Sequence, residues 1–440
     1  MDRLAGLIGI AYLYLILSRV LDLTLPFLHI PMILLIILSA ISIPSGVFFR
    51  GITSRLGIAL TLLVAWMGVT VPFSQWKGGS TPVYMIVLQC LMLGICVIGI
   101  GRTVKDAGRL MRTVALAGLT AALLSFAYGM TDNGRLVLDS GTFRDPNIYA
   151  MFLVLTVPMW LWMSSQAISK PRKVAMFLAL GQILYALLRT GSRGGAIGLI
   201  AMLVSVLMSA SLGRKLAMLA GVAALLVVAN LTLPDYIRLR YFTLFEPSSS
   251  ENINQQEQDS LAADMGSSEG RLTLLVDSIK LTMAYPIFGV GLDQFSQTNW
   301  LVNHAKRGNG PGAMVTHNTY TQVSSETGIP GLILLLVVYF QSFRSINSVI
   351  RQNRAPKGNR PDIVEMAVHL RHCLIAVAVC SFFLSVGYGP LLYVIVGVCG
   401  AAYAASNNEA RGAQPETVSA PVGPVMMWGV KPNRFQTGVR

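Results

Sequence analysis

The chain has 440 residues, 53% of them hydrophobic and only 12% charged, with a mean hydropathy of +0.60. Soluble domains carry about 25% charged residues, so apolar content on this scale needs lipid to cover it. The formal net charge of +14 does not signal a nucleic-acid surface, because most Lys and Arg residues fall in short clusters between apolar runs rather than in one patch.

Arg3 precedes the first apolar stretch and no small-residue cleavage site follows, so that stretch reads as a span rather than a removable leader. A helix needs about 20 mostly apolar residues to cross the hydrocarbon layer. That ruler predicts an all-α polytopic membrane protein of about 12 transmembrane helices. They lie near 4–20, 30–48, 56–73, 83–101, 112–130, 147–165, 174–190, 195–212, 216–233, 326–344, 366–386 and 389–405. Only Gly387, Tyr388, Gly389 and Pro390 separate the last two, which predicts a tight hairpin. The five cysteines (Cys90, Cys96, Cys373, Cys380 and Cys399) all fall inside apolar runs without a C-x-x-C, as buried thiols do.

Positive charge divides the short connections into two sets. One holds Arg50, Arg55, Arg102, Lys105, Arg109, Arg112, Lys170, Arg172, Lys173, Arg214 and Lys215. It also holds Arg344, Arg351, Arg354, Lys357, Arg360 and Arg371, seventeen in all. The opposite set holds six: Arg19, Lys77, Arg135, Arg144, Arg189 and Arg193. The richer set is expected in the cytoplasm, which puts both termini there and residues 234–325 outside. The predicted organisation is a bundle of nine spans over 1–233, an outer loop with short helices over 234–325, three spans over 326–405, and a flexible cytoplasmic tail over 406–440. No internal repeat is present.

Within the outer segment, residues 246–270 are polar, acidic and poor in aromatics, a composition that predicts a mobile flap. From Arg271 to Ala284 apolar residues recur at Leu272, Leu275, Val276, Ile279 and Met283. This predicts an amphipathic helix that begins at Arg271, stops before Pro286 and lies against the membrane surface. A Gly-rich turn, 289-GVGLDQF-295, a basic loop with His304, Lys306 and Arg307, and a polar helical segment over 316–328 lead into the tenth span.

Four features on the outer side carry candidate chemistry. Asp145-Pro146-Asn147 starts a helix, with Asp145 as N-cap and Pro146 at the first helical position; a cap alone and a site residue are both open readings. In 189-RTGSRGG-195, Arg189 and Arg193 stand beside glycine-rich backbone, which suits an oxyanion held by two guanidinium forks and an N–H nest. The competing reading is a turn whose arginines reach lipid headgroups. Arg271, at the expected helix start, strengthens an anion site or is merely solvated. His317 shares a predicted helix face with Thr321 and Ser324, while Asn318, Gln322 and Glu326 share another. A helix this polar beside a membrane is expected to line a wet cavity, where a histidine can accept a proton near neutral pH.

No metal site and no cofactor are expected. The twelve aspartates never occur as D-x-D, and His317 has no His or carboxylate at i+3 or i+4. Neither a Walker A motif nor G-x-S-x-G is present, so ATP hydrolysis and a serine nucleophile are unsupported.

These pieces in this order resemble the O-antigen ligase/polymerase family of membrane glycosyltransferases. The matching stretches are 143-FRDPNIYA-150, 189-RTGSRGG-195, Arg271, 287-IFGVGLDQF-295 and 317-HNTYTQVSSETGIPG-331, so the resemblance runs from about 140 to 345. It implies an enzyme of the bacterial inner membrane with a periplasmic active site. Such an enzyme moves a glycan from undecaprenyl diphosphate to an acceptor hydroxyl without metal or nucleotide. The acceptor is the lipid A core for a ligase, or a lipid-linked repeat unit for a polymerase. By position, Arg193 and Arg271 would clamp the diphosphate with Arg189 assisting, and His317 would act as base or orient the acceptor for inverting attack. Asp293 is assigned by motif alone to orienting His317. Asn318 and Glu326 match the motif without an assigned role, and Asp145 and Asn147 join them as supporting residues. A transporter would be expected to show repeated halves with broken midplane helices, and here the polar groups gather outside instead. A non-catalytic partner in polysaccharide export is the third reading.

Overall fold

A computed structural model describes residues 1–28, 30–132, 134–242, 255–299, 301–302, 315–354 and 359–412. His304, Lys306, Arg307, Lys357, residues 246–254 of the expected flap and the tail beyond 412 lie outside the described residues.

The chain starts with α1 (Asp2–Ser18), α2 (Val20–Thr24), α3 (Ile30–Ser42), α4 (Val47–Ile52), α5 (Arg55–Thr70), α6 (Lys77–Ile100) and α7 (Val104–Ala127). A small antiparallel hairpin follows, β1 (Met130–Asp132) and β2 (Arg135–Val137), with Asp132 opposite Arg135. Then come α8 (Pro146–Ser165), α9 (Lys170–Arg189), α10 (Arg193–Ser209), α11 (Leu212–Thr232) and α12 (Asp235–Phe242). The last group is α13 (Gln255–Ala284), α14 (Phe295–Asn299), α15 (Thr319–Asn353), α16 (Pro361–Cys380) and α17 (Pro390–Gly412).

This is an all-α polytopic membrane protein. Among the described residues nine helices are long and apolar enough to cross a membrane. The other three predicted spans coincide with the shorter helices α1, α3 and α10, of 17, 13 and 17 residues. The protein core closes around α6, α8, α15, α16 and α17, where Phe152, Leu153, Val97, Tyr393 and Val394 are fully buried. Large side chains such as Ile36, Phe177, Leu231 and Phe340 instead face outward, as a lipid-wetted surface requires.

Contacts among the described residues tie several of the charged connections together. Asp2 pairs with Arg50 and Arg102, Arg360 pairs with Glu409, and Gln166 donates to Glu365. Exposed pairs contribute at most about 1 kcal/mol each, so their value is positional: residues predicted to share a side do so. Arg19 pairs with Asp22, and Ser140 also reaches that carboxylate.

Three elements differ from expectation. First, α13 begins at Gln255, so residues 255–270 are helical rather than a flap, and Arg271 lies well inside a helix instead of at its N-terminus. The stretch contains no proline, is rich in Gln, Glu and Ala, and its two glycines cost only about 1 kcal/mol each. Of the predicted apolar stripe, Leu272, Val276, Ile279 and Met283 are exposed and Leu275 is half-buried, while Leu274, Asp277, Ser278, Leu281 and Thr282 are buried. Second, α16 ends at Cys380, and residues 381–389 form a longer connection than the predicted hairpin. This connection plugs into the start of α15: Val386 N–H donates to Thr319 Oγ1, Gly387 N–H to Gln322 Oε1 and Tyr388 OH to Glu326.

The third difference explains the glycines of 287-IFGVGLDQF-295. Gly328 breaks α15 with φ 77°, ψ 178°, and Pro330 has no N–H, so the carbonyls of Ser325 and Glu326 are left without helical donors. Val290 and Gly291 N–H fill those places at 2.9 and 3.0 Å, and Ile329 N–H reaches Pro286 O at 2.8 Å. So close a backbone approach excludes a side chain. A Cβ on Gly289 would sit 2.3 Å from the Glu326 carbonyl carbon, and one on Gly328 would sit 2.0 Å from Ile287 O.

Candidate functional site

The site grows from the turn between α9 and α10. The end of α9 exposes carbonyls that need donors. Arg135 Nε donates to Thr190 O at 2.8 Å, Arg240 Nε to Gly191 O at 3.3 Å, and Tyr241 OH to Leu188 O at 3.1 Å. Gly191 takes φ +57°, a left-handed conformation that favours glycine, and the Arg240 and Arg135 side chains lie in ordinary contact range of it. Two short elements, the β-hairpin and α12, thus bring two guanidinium groups onto the RTGSRGG turn.

Asn147 ties the turn to α8. Its Oδ1 accepts from Arg135 Nη2 at 2.8 Å and from Ser192 Oγ at 2.9 Å, and the residue is buried. Ser192 in turn caps α10 by accepting from Gly195 N–H, which fixes where the helix beginning with Arg193 starts. Gly194 and Gly195 allow close packing: added Cβ atoms would meet Phe383 and Ala150 at 2.7 Å. The Gly195 N–H is therefore a capping donor. Arg189 and Arg193 are half-buried, and Arg189 Nε finds no hydrogen-bond partner among the described residues.

Asn147→Ala is expected to destabilise the fold by roughly 2–3 kcal/mol, because it strands a buried guanidinium donor and a buried hydroxyl together. Asn147→Asp keeps the acceptor oxygen but sets a carboxylate on Arg135. It should retain the thermal unfolding midpoint of the wild type in detergent while lowering anion affinity.

The structure shows Asp145 as a cap. It caps α8 by accepting from Asn147 N–H at 2.7 Å and Ile148 N–H at 3.3 Å, and its charge acts on both Arg135 and His317. Burial, then Arg240 and Arg271, push Arg135 down to about 10, with Asp145 opposing. It remains a cation at neutral pH. Arg240 and Arg271 thus both act on Arg135, and Asp145 acts on it with the opposite sign. Such a gathering of guanidinium groups suits an anionic ligand.

His317 lies beside this cluster. Burial and then the Arg271 charge hold its pKa below the ordinary histidine value, with Asp145 acting against them. It precedes α15 rather than sitting on a helix face as expected, because Asn318 caps the helix by accepting from Tyr320 and Thr321 N–H. His317 takes the left-handed conformation, φ 51°. Such strain costs about 1–3 kcal/mol and persists only where neighbours enforce it. Here they do: Thr316 Oγ1 bonds to Ser385 Oγ at 2.8 Å and to Asn318 O, and Thr319 N–H donates to Ser381 O at 2.8 Å.

The polar face of α15 is spent on packing rather than on a wet cavity. Gln322, Ser324 and Glu326 are buried, with Ser324 bonded to Thr282 and Gln322 to Gly387. Glu326 accepts from Asp293 N–H at 2.9 Å, Phe295 N–H at 3.2 Å and Tyr388 OH, so it anchors the Gly-rich loop. Asp293, with φ 59° and its carboxyl pKa raised by burial, belongs to that anchor. The charges that act on His317 are Arg271 and Asp145, and Asp293 is not among them. Among the described residues no group of three or more His, Cys, Asp or Glu side chains is arranged to hold a metal ion.

Arg135, Arg240 and Tyr241 are the members of this cluster that motif reading passes over. Residues 174–336 match the family model described as O-antigen ligase. The matched stretch contains Arg189, Arg193, Arg240, Arg271, Asp293, His317, Asn318 and Glu326, and stops short of Arg135, Asp145 and Asn147. No curated protein matches the chain.

Proposed function

We propose, from the premise that this membrane protein carries a domain of the O-antigen ligase family, that it is an inverting glycosyltransferase. Its donor is a glycan on undecaprenyl diphosphate and its acceptor a sugar hydroxyl of the lipid A core. The observation that carries this reading is that the charges of Arg271 and Asp145 act on both Arg135 and His317, with Arg240 also beside Arg135.

The chemistry follows from that arrangement. A diphosphate leaving group develops charge as the glycosidic bond breaks, and fixed guanidinium groups stabilise that charge without reorganising. Arg193 and Arg271 hold the diphosphate and Arg189 assists. His317, neutral near pH 7, takes the proton of the acceptor hydroxyl as its oxygen attacks the anomeric carbon, and undecaprenyl diphosphate departs as the anion. No metal or nucleotide is called for, since arginines supply the positive charge. The protein sits in a bacterial inner membrane with both termini in the cytoplasm and the arginine-rich site in the periplasm. The seventeen-to-six split of positive residues between the two sets of short connections supports this orientation.

Purified protein in nanodiscs, given the lipid-linked glycan with EDTA present, tests the assignment. Lipid A core and a second lipid-linked repeat unit are offered separately. Labelled glycan on the lipid A core is the expected product. A growing ladder on the lipid-linked repeat would make the protein a polymerase. No transfer to either acceptor by folded protein would overturn the reading.

A further inference from the structure

A second cationic feature lies at the opposite end of the bundle. Arg55 opens α5 and Arg344 stands near the end of α15; with Ile58 and Gln341 they line a single cleft of about 330 Å³. Both arginines are exposed, neither forms an ion pair among the described residues, and no carboxylate lines the cleft. The Arg55 guanidinium rests 5.8 Å from the Tyr403 ring centroid, which restrains one side of the pair.

The cleft continues into an apolar strip. α5 runs away from the arginines and α15 runs toward them, and the two helices pack together. On α5, Ile58 and Leu62 follow Arg55 at helical spacing; on α15, Ile333, Leu336 and Phe340 lead up to Arg344. All five are exposed. Two cations with no ion pair among the described residues, at one end of an outward-facing apolar strip, match a molecule with an anionic head and hydrocarbon tails.

We propose that this cleft binds the phosphodiester headgroup of an anionic phospholipid, with its acyl chains along the α5–α15 groove. The guanidinium forks take the phosphate oxygens, Gln341 adds an amide donor, and Ile58, Leu62 and Phe340 take the first chain carbons. Basic pockets between membrane helices hold anionic headgroups in this way. The site is independent of the transfer reaction and stands whether or not the proposed activity holds.

Native mass spectrometry of the whole protein, released from nanodiscs of phosphatidylcholine with a minor share of phosphatidylglycerol, reads the retained lipid directly. Losing one arginine should lower phosphatidylglycerol retention about fivefold, and losing both about thirtyfold. The variants are Arg55→Gln, Arg344→Gln and their combination, with Arg351→Gln as a cation of the same end outside the cleft. Unchanged retention in Arg351→Gln completes the expected pattern. Equal retention by wild type and the double variant would overturn the proposal. So would equal retention of phosphatidylcholine, or glycerol phosphate that displaces the lipid at comparable concentration.

Discussion

His317→Ala is expected to lower kcat by about 10²–10⁴-fold while leaving donor affinity nearly unchanged, because the arginines rather than the imidazole hold the diphosphate. The pH profile separates a base from a merely structural histidine. Burial and Arg271 both disfavour the imidazolium, so the folded pKa lies below the usual value of 6.5. The neutral, proton-accepting form is then complete at neutral pH, and kcat/KM falls only as pH drops through the lowered pKa. A bound diphosphate partly neutralises Arg271 and so raises that pKa. The acid limb of kcat should therefore lie at higher pH than that of kcat/KM. His317→Ala should abolish both limbs. A variant that keeps the wild-type limb would show that another group takes the proton.

Arg271→Gln is expected to lower kcat/KM by about 10²–10³-fold. The loss should appear in both donor affinity and turnover, since the charge on the diphosphate grows as the bond breaks. Arg271→Lys should recover only part of it, because a lysine supplies the charge without the bidentate fork. The same substitution carries a second signature. Arg271 is one of the charges that depress His317, so Arg271→Gln should move the acid limb of kcat/KM upward. A loss of rate with no movement of that limb would separate Arg271 from His317 and contradict the shared site.

Helices and their two ends are legible in the sequence because length and apolar content decide the former and clustered Lys and Arg residues the latter. Asp145 as a cap is legible for the same local reason. The arginine cluster is less so. Arg135 stands in a short polar connection like many other arginines, and only the β-hairpin and the distant carbonyl of Thr190 give it a role. Arg240 depends likewise on α12 folding back onto Gly191. His317 shows the limit of helical periodicity, since a one-residue choice of N-cap, Asn318, moves it from a helix face to a strained entry turn. Glu326 reads from sequence as a polar residue facing a cavity. Its burial follows from the Gly328 break and from Tyr388, sixty-two residues away along the chain.

The most direct test is single-turnover transfer of labelled glycan from undecaprenyl diphosphate by wild type and His317→Ala, each saturated with donor in nanodiscs at neutral pH. The predicted result is labelled acceptor and an equal amount of free undecaprenyl diphosphate from the wild type, against bound but unreacted donor in the variant. Transfer by His317→Ala at the wild-type rate would contradict the assignment of the site.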